Sequence, residues 1–432
     1  MSQPIPLVAP SAVGRSAIRN RFFQLTAIIL AGGAANFALF AVGPLQETIR
    51  IALGLTDNQI ALLQGPALYL PPLLVGFPLG LLIDRFPRAR LLALFTALEV
   101  VGTVLTALAP SFTVILLARG LIGSMQCATA MNASAIIVEW VQPHRRGRAL
   151  MLLGVAQIAS VSTVFALGGE LLVLFDAGPS TWRWAMLGLA APLGLIFLLT
   201  LWVREPPRRA DAPCALAWRA AVAALWRYRT MLVPLSFGQV IVTLGYTAAT
   251  VWSQPIFARQ FNLSPNRIGA IMGIVLLVSG LLGNFLGGIL VDLCQRAGGP
   301  RRAVSLLIVL ALAQVPAGIF GVMPSVPLVS LLLIALCTIG NMKGVICTTT
   351  MSSVVPEELL GSSFGALIAI SSVFSSFAPL AVSTLAGRIG GIQGIGQALT
   401  IVCIITSLAG AATFASGRRY FPGRSGMDPR VK

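Results

Sequence analysis

Three charged side chains sit inside long apolar runs of this 432-residue chain: Glu99, Arg119 and Lys343. A charge at membrane depth is expensive, so residues of this kind mark substrate, ion or proton pathways. Arg119 and Lys343 suit an anionic or zwitterionic partner, and a buried Glu99, its acidity weakened, suits a proton. Gln126 follows Arg119 by seven residues, which places both on one helical face. Gln239, Thr243 and Tyr246, continued by Thr247 and Thr250, form a polar stripe at helical spacing that reads as a cavity wall. Lys343 shares a face with Cys347 and Thr350, whereas Thr338, Asn341, Thr348 and Ser352 lie nearly opposite. A lysine costs far more in lipid than a threonine, so the lysine orients the helix and turns Lys343 inward. Each residue also has a plainer role. Arg119 would brace neighbouring helices by binding carbonyls, Lys343 would pair with a carboxylate, and Glu99 would be a packed, hydrogen-bonded carboxyl.

Composition decides what these residues are embedded in. The chain is 56% hydrophobic and only 10% charged, with a mean hydropathy of +0.89. A soluble globule carries roughly a quarter charged residues, so most of this surface does not face water and the chain reads as an all-α integral membrane protein. The formal charge of +17 is spread in short arginine clusters between apolar runs, a membrane-topology pattern rather than a nucleic-acid footprint.

A crossing helix needs about 20 apolar residues. Twelve segments qualify: 22–45, 58–82, 91–110, 113–138, 149–173, 184–203, 230–253, 266–291, 303–323, 327–354, 363–386 and 397–416. Lys and Arg near the ends of spans stay cytoplasmic. With the N-terminus inside, 23 of the 30 cations fall in cytoplasmic segments and only Arg50, Arg183, Arg259, Arg267 and Arg388 fall outside. Both termini are therefore expected in the cytoplasm. This divides the chain into a tail, 1–21, a six-helix bundle, 22–203, a linker with an interfacial helix, 204–229, a second bundle, 230–416, and a tail, 417–432. The Cys residues lie in spans, at their cytoplasmic ends or in the linker, so no structural disulfide is expected. The single His144 excludes a multi-histidine metal site.

The halves repeat one device. Gly80-x-x-x-Asp84 is followed by Arg85, Arg88 and Arg90, and Gly288-x-x-x-Asp292 is followed by Arg296, Arg301 and Arg302. Matching loops in a duplicated six-span unit are a mark of repeat-built transporters.

The loop G-x-x-x-D-R-x-x-R-x-R resembles the signature of the major facilitator superfamily, with a degenerate copy in the second half. Arg119-Gly120-x-x-Gly123, Pro143-x-x-Arg146-Gly147-Arg148 and Trp182-Arg183 support the resemblance, while Pro87 stands where the family motif has Gly. The resemblance implies two pseudo-symmetric six-helix bundles around a cavity lined by spans 1, 4, 7 and 10. It also implies a cytoplasmic gate of Gly80, Asp84, Arg85, Arg88, Glu139, Arg148, Gly288 and Asp292, with Glu139 as the partner of the signature loop. The stretch around "LTDNQIALLQGPALYLPPLLVGFPLG" is similar to the bacterial spinster-like branch. That comparison aligns Asn36 and Gln126 with substrate-site positions, but the branch's Asp-Arg pair and Glu are absent here.

The resemblance implies secondary active transport of a small organic solute, more readily anionic or zwitterionic, with a proton or sodium as coupling ion. It implies a monomer in the bacterial inner membrane, with no cofactor, no bound metal and no nucleic-acid partner. Multidrug efflux stands as an alternative. Two lesser ones are Cu(I) import through soft Met and Cys side chains, Cys127 with Met131 and Cys347 with Met351, and a non-transporting sensor. No nucleophile–base pair or nucleotide-binding loop points to an enzyme.

Overall fold

In lipid every backbone N–H and C=O must be satisfied within the protein, so long apolar runs fold as helices. The computed structural model describes residues 12–176, 178–205, 224–391 and 393–422, and within them the chain forms helices joined by short turns. The first half comprises α1 (Ala12–Phe40), α2 (Gln46–Ala52), α3 (Asp57–Gln64), α4 (Pro66–Tyr69), α5 (Pro71–Arg85), α6 (Arg88–Leu108), α7 (Phe112–Trp140), α8 (Pro143–Leu174) and α9 (Thr181–Thr200). The second half comprises α10 (Arg229–Arg259), α11 (Pro265–Gly298), α12 (Pro300–Ala317), α13 (Val326–Val354), α14 (Glu357–Ile389) and α15 (Gly394–Gly417). Most of the linker expected at 204–229 and parts of the two tails lie outside the described residues.

Among the described residues eleven helical segments are long and apolar enough to cross a membrane. The segment expected as a single span at 58–82 is instead three helices, α3, α4 and α5. Pro66 and the pair Pro71-Pro72 remove amide donors and start new helices at α4 and α5. The longest piece, α5, has 15 residues, about 22 Å at 1.5 Å per residue. A capping box starts α3: the Gln59 amide donates to Thr56 Oγ1 at 3.3 Å and the Thr56 amide donates to Gln59 Oε1 at 2.9 Å.

Among the described residues the halves share a hydrophobic cluster at one end. One hydrophobic cluster contains residues of both halves, among them Leu45, Ile60, Phe165, Trp252, Met272 and Val382. It occupies the end away from the arginine-rich loops, the outer end. The clusters nearer the other end each belong to one half: Ile28, Leu92 and Ile136 in the first, Leu235, Val304 and Ile346 in the second. Two glycines permit the outer contact. A Cβ on Gly65, at the α3–α4 break, would lie 2.0 Å from the Ser376 carbonyl oxygen of α14. A Cβ on Gly269 of α11 would lie 2.5 Å from the Phe165 carbonyl oxygen of α8. Nearer the inner end a Cβ on Gly76, Gly154, Gly288 or Gly365 would meet nothing within 4 Å.

Candidate functional site: a central cavity beneath an outer clasp

The polar stripe of α10 lines a cavity of about 360 Å³, together with Asn284 of α11 and Asn341 and Thr348 of α13. Helical spacing places Gln239, Thr243 and Tyr246 there, and the Tyr246 ring packs over Gly340. Most donors on this wall are spent on nearby groups of the same helix. Thr243 Oγ1 donates to the Gln239 carbonyl at 2.8 Å, Asn341 Nδ2 to the Cys337 carbonyl at 2.9 Å and Asn284 Nδ2 to the Gly280 carbonyl at 2.8 Å. Gln239 Nε2 donates to Thr243 Oγ1 at 3.2 Å, while Gln239 Oε1 is buried with no partner among the described residues. Each of these amides keeps a second N–H, so the wall presents uncharged donors as well as acceptors.

All of the residues that line this cavity belong to the second half; in the first half, Gln126 of α7 and Asn36 of α1 join at 3.2 Å, Nε2 to Oδ1. The ceiling is shared: Gln46, Gln64 and Tyr69 from the first half meet Thr247, Thr250 and Gln254 from the second around a space of about 20 Å³, room for a single water. Gln64 Nε2 donates to Gln46 Oε1 at 3.1 Å, and Gln46 Nε2 crosses to the Val251 carbonyl at 2.7 Å.

Above the ceiling lies an ion cluster. Arg259, the last residue of α10, reaches Glu47 of α2 at 2.9 Å and Asp57 of α3 at 2.7 Å, and Arg50 pairs with Glu47 at 2.7 Å. The bonds from Arg259 to Asp57 form a fork, Nη1 to Oδ2 at 2.9 Å and Nη2 to Oδ1 at 2.7 Å. Such bidentate pairing adds geometric specificity to attraction. Burial raises the Asp57 carboxyl, but its hydrogen bonds to Arg259 and the charges of Arg259 and Arg50 outweigh this and hold it below the ordinary value. Every described ion pair that joins the two halves lies in this cluster.

The three intramembrane charges sit elsewhere. Arg119 is fully buried, donating from Nη2 to the Leu39 carbonyl at 2.7 Å and to Gln64 Oε1 at 3.2 Å. Lys343 is also fully buried and donates to Gln314 of α12. The Asn341 and Thr348 face of α13 lines the cavity, so the helix is turned opposite to the orientation expected from its lysine. Cost in lipid distinguishes lipid from everything else, and the Gln314 amide shelters an ammonium as a cavity would. Glu99 of α6 is buried and accepts from Thr129 Oγ1 of α7 at 2.7 Å.

At the inner end Arg88 pairs with Glu139 at 2.5 Å within the first half. The Glu205 carboxylate accepts the amides of Arg88 and Ala89 at 2.7 and 2.8 Å, capping the start of α6. Arg85, Arg148 and Asp292 are exposed. Gly80 lies beside Met131 and Gly288 faces open space, while the side chain of Asp84 lies outside the described residues. Cys127 Sγ sits 3.9 Å from Met131 Sδ, and Cys347 turns away to the Leu235 carbonyl. Among the described residues no group of three or more His, Cys, Asp or Glu is assembled for a metal.

Sequence reasoning missed Tyr69, Gln46, Gln64 and the clasp of Glu47, Asp57 and Arg259. Arg259 carried one signal, as one of five cations outside the arginine-rich face.

The model of the Major Facilitator Superfamily matches residues 25–379. Solute carrier family 22 member 12 of Rattus norvegicus is 29% identical over 153 residues, 35% of this chain and 26% of that protein. A probable sugar efflux transporter of Helicobacter pylori is 25% identical over 213 residues, 49% of this chain and 52% of that protein. The chain thus spans about a quarter to a half of the length of these curated relatives. Among solved structures, a bacterial homolog of the human lysosomal transporter Spinster, in an inward-facing and occupied conformation, superposes with a TM-score of 0.80. Its identity is 20%, covering 95% of this chain and 98% of that one, a likeness of fold.

Proposed function

The chain belongs to the Major Facilitator Superfamily, and on that premise we propose that it is a secondary transporter moving a small organic solute by alternating access. The single observation that carries this reading is the asymmetry of the two ends. The halves share a core, two tight backbone approaches and an ion clasp at the outer end, and have separate cores toward the inner end. This asymmetry supports reading the chain as two bundles, 22–203 and 230–416, in an inward-facing arrangement, which rock about a midplane site, with both termini in the cytoplasm and the protein in a bacterial inner membrane. In the outward-facing state the clasp parts, and the loops of Asp84 and Asp292 close the inner end with Arg85, Arg148 and the Arg88–Glu139 pair.

The solute site in this reading has the second-half cavity of Gln239, Thr243, Tyr246 and Asn341 as one wall and Asn36 and Gln126 of the first half as the other. Arg119 and Lys343 are engaged by carbonyl and amide oxygens, and the cavity wall carries uncharged amides and hydroxyls that both donate and accept. This favours a zwitterion or an uncharged polar molecule over a simple anion. Glu99, hydrogen-bonded and without a cation partner among the described ion pairs, serves as the proton-holding group if the coupling ion is a proton.

The test is a thermal-shift screen of purified protein against matched zwitterions, uncharged polar solutes, anions and lipophilic cations. A ligand at 100 times its Kd stabilises the folded state by about 2.7 kcal/mol. Zwitterions or uncharged solutes are expected to shift the melting temperature, and Asn341→Ala or Gln239→Ala to weaken binding roughly tenfold, the loss of one hydrogen bond. A shift confined to anions and abolished in Lys343→Met contradicts this solute class. Shifts without solute flux in liposomes contradict transport itself.

A further inference from the structure

Two helices end inside the protein at one place. The last turn of α1 presents the carbonyl of Leu39 and that of Ala38, which also accepts the Ala41 amide at 3.3 Å, and the last turn of α3 presents that of Leu63. Helix C-termini carry orphan carbonyls and the negative end of the helix dipole. Arg119 of α7 reaches all three: Nη2 to Leu39 at 2.7 Å, Nη1 to Ala38 at 3.5 Å and Nε to Leu63 at 3.5 Å. A fourth oxygen, Gln64 Oε1, accepts from Nη2 at 3.2 Å. Among the described residues no carboxylate pairs with this guanidinium. The acceptor set is therefore three carbonyl oxygens and one amide oxygen on two converging helix ends. Unwound carbonyls and half-helix C-termini are the groups with which broken helices coordinate monovalent cations in repeat-built transporters.

The geometry points to a monovalent-cation site, formed by the broken ends of α1 and α3, that the chain fills with its own tethered guanidinium. Arg119 is then a positioning residue rather than a solute ligand: its charge neutralises the two helix ends. That allows α3 to break from α4 at Gly65 and reach the opposite half. The polar path continues from Gln64 to Gln46 and on to Val251, so the same charge supports the ceiling of the cavity. The inference is independent of which solute is carried, or whether any is. It makes one demand that a merely space-filling arginine does not: when the tether is cut, a free cation of the same shape should replace it.

The experiment is chemical rescue of Arg119→Ala, read as melting temperature in detergent. The probes are methylguanidinium at tens of millimolar and N-methylurea, a neutral compound of similar shape. The variant is expected to melt roughly 5 °C or more below wild type, with methylguanidinium restoring at least half of the loss, N-methylurea restoring none, and wild type responding to neither. Equal rescue by N-methylurea, or a variant as stable as wild type without any addition, overturns the inference. Should Arg119→Ala not accumulate, Arg119→Lys decides. A lysine variant that folds and ignores both probes supports the cation requirement. A lysine variant that also fails to accumulate overturns it, because a cation at that place would be no better than none.

Discussion

Replacing Arg259 with Ala opens the outer end. The guanidinium is the group through which α10 holds both Glu47 and Asp57, and its removal leaves two carboxylates with only Arg50 between them. The three side chains that meet at the clasp are 20–29% exposed, so they are screened by water less than surface pairs. Truncating one partner of a hydrogen-bonded charge pair costs 2–5 kcal/mol when buried. At this intermediate burial we expect the low end, about 2 kcal/mol, which moves a two-state balance roughly 30-fold toward the outward-facing state. The readout is a single cysteine at Gln254, in the ceiling, in a background without the native cysteines. Labelling from outside with an impermeant maleimide should rise by about that factor in Arg259→Ala. It should return to the basal rate when Arg259→Asp is combined with Asp57→Arg. An unchanged labelling rate in Arg259→Ala would mean that the clasp is ornamental.

The clasp also sets a pH window. Asp57 is held below its ordinary value. A carboxylate depressed in the folded protein contributes stability above its unfolded pKa and loses it as pH falls through the folded one. Labelling at Gln254, divided by that of a free thiol at the same pH because only the thiolate reacts, is therefore expected to be flat at neutral and mildly acid pH. The ratio should increase only below about pH 4.3 to 3.9, the reference values for unperturbed Glu and Asp, since Glu47 is held low by the same arginines.

Gly65→Val is the second large effect. A Cβ at this position would sit 2.0 Å from the Ser376 carbonyl oxygen, which belongs to backbone and has no rotamer to move into. Overpacking of this kind costs typically 1–3 kcal/mol, and here the cost falls on the state in which α3 lies against α14. The variant should lose the outer-closed state and with it at least tenfold in solute flux, while solute binding measured from the outer side persists. Gly76→Ala supplies the contrast on the same segment of chain. A Cβ there meets nothing within 4 Å, and helix propensity favours Ala over Gly, so flux should be unchanged and the melting temperature equal or higher. If both variants fail alike, this stretch of chain is simply intolerant of substitution and the α3–α4 break carries no gating role.

The architecture was legible because a membrane imposes one-dimensional rules: apolar runs mark spans and arginines mark a side. Eleven of the twelve expected segments appear as long helices in the expected places. The second was misread as continuous because hydropathy averages over "GPALYLPP", whereas Gly65, Pro66 and Pro71 act one residue at a time through backbone geometry. The resemblance of the signature loop implied Glu139 as its partner, and Arg88 of that loop pairs with it within the first half. Arg259 was not, because its partners lie 202 and 212 residues away and no local pattern encodes such a contact. The orientation of α13 failed for a different reason. The energetic argument about Lys343 was sound for lipid, but blind to Gln314 on the neighbouring helix.

The central claim, two bundles that exchange an outer closure for an inner one, is tested most directly by paired spin-label distances in one sample of reconstituted protein. One pair joins Thr56 and Ala386 across the outer pocket. The other joins the exposed Arg85 and Arg296, at the inner ends of α5 and α11. On adding the solute found by thermal shift, or on introducing Arg259→Ala, the outer distance should lengthen as the inner one shortens. Distances that change together, or that stay fixed while the solute binds, would contradict alternating access.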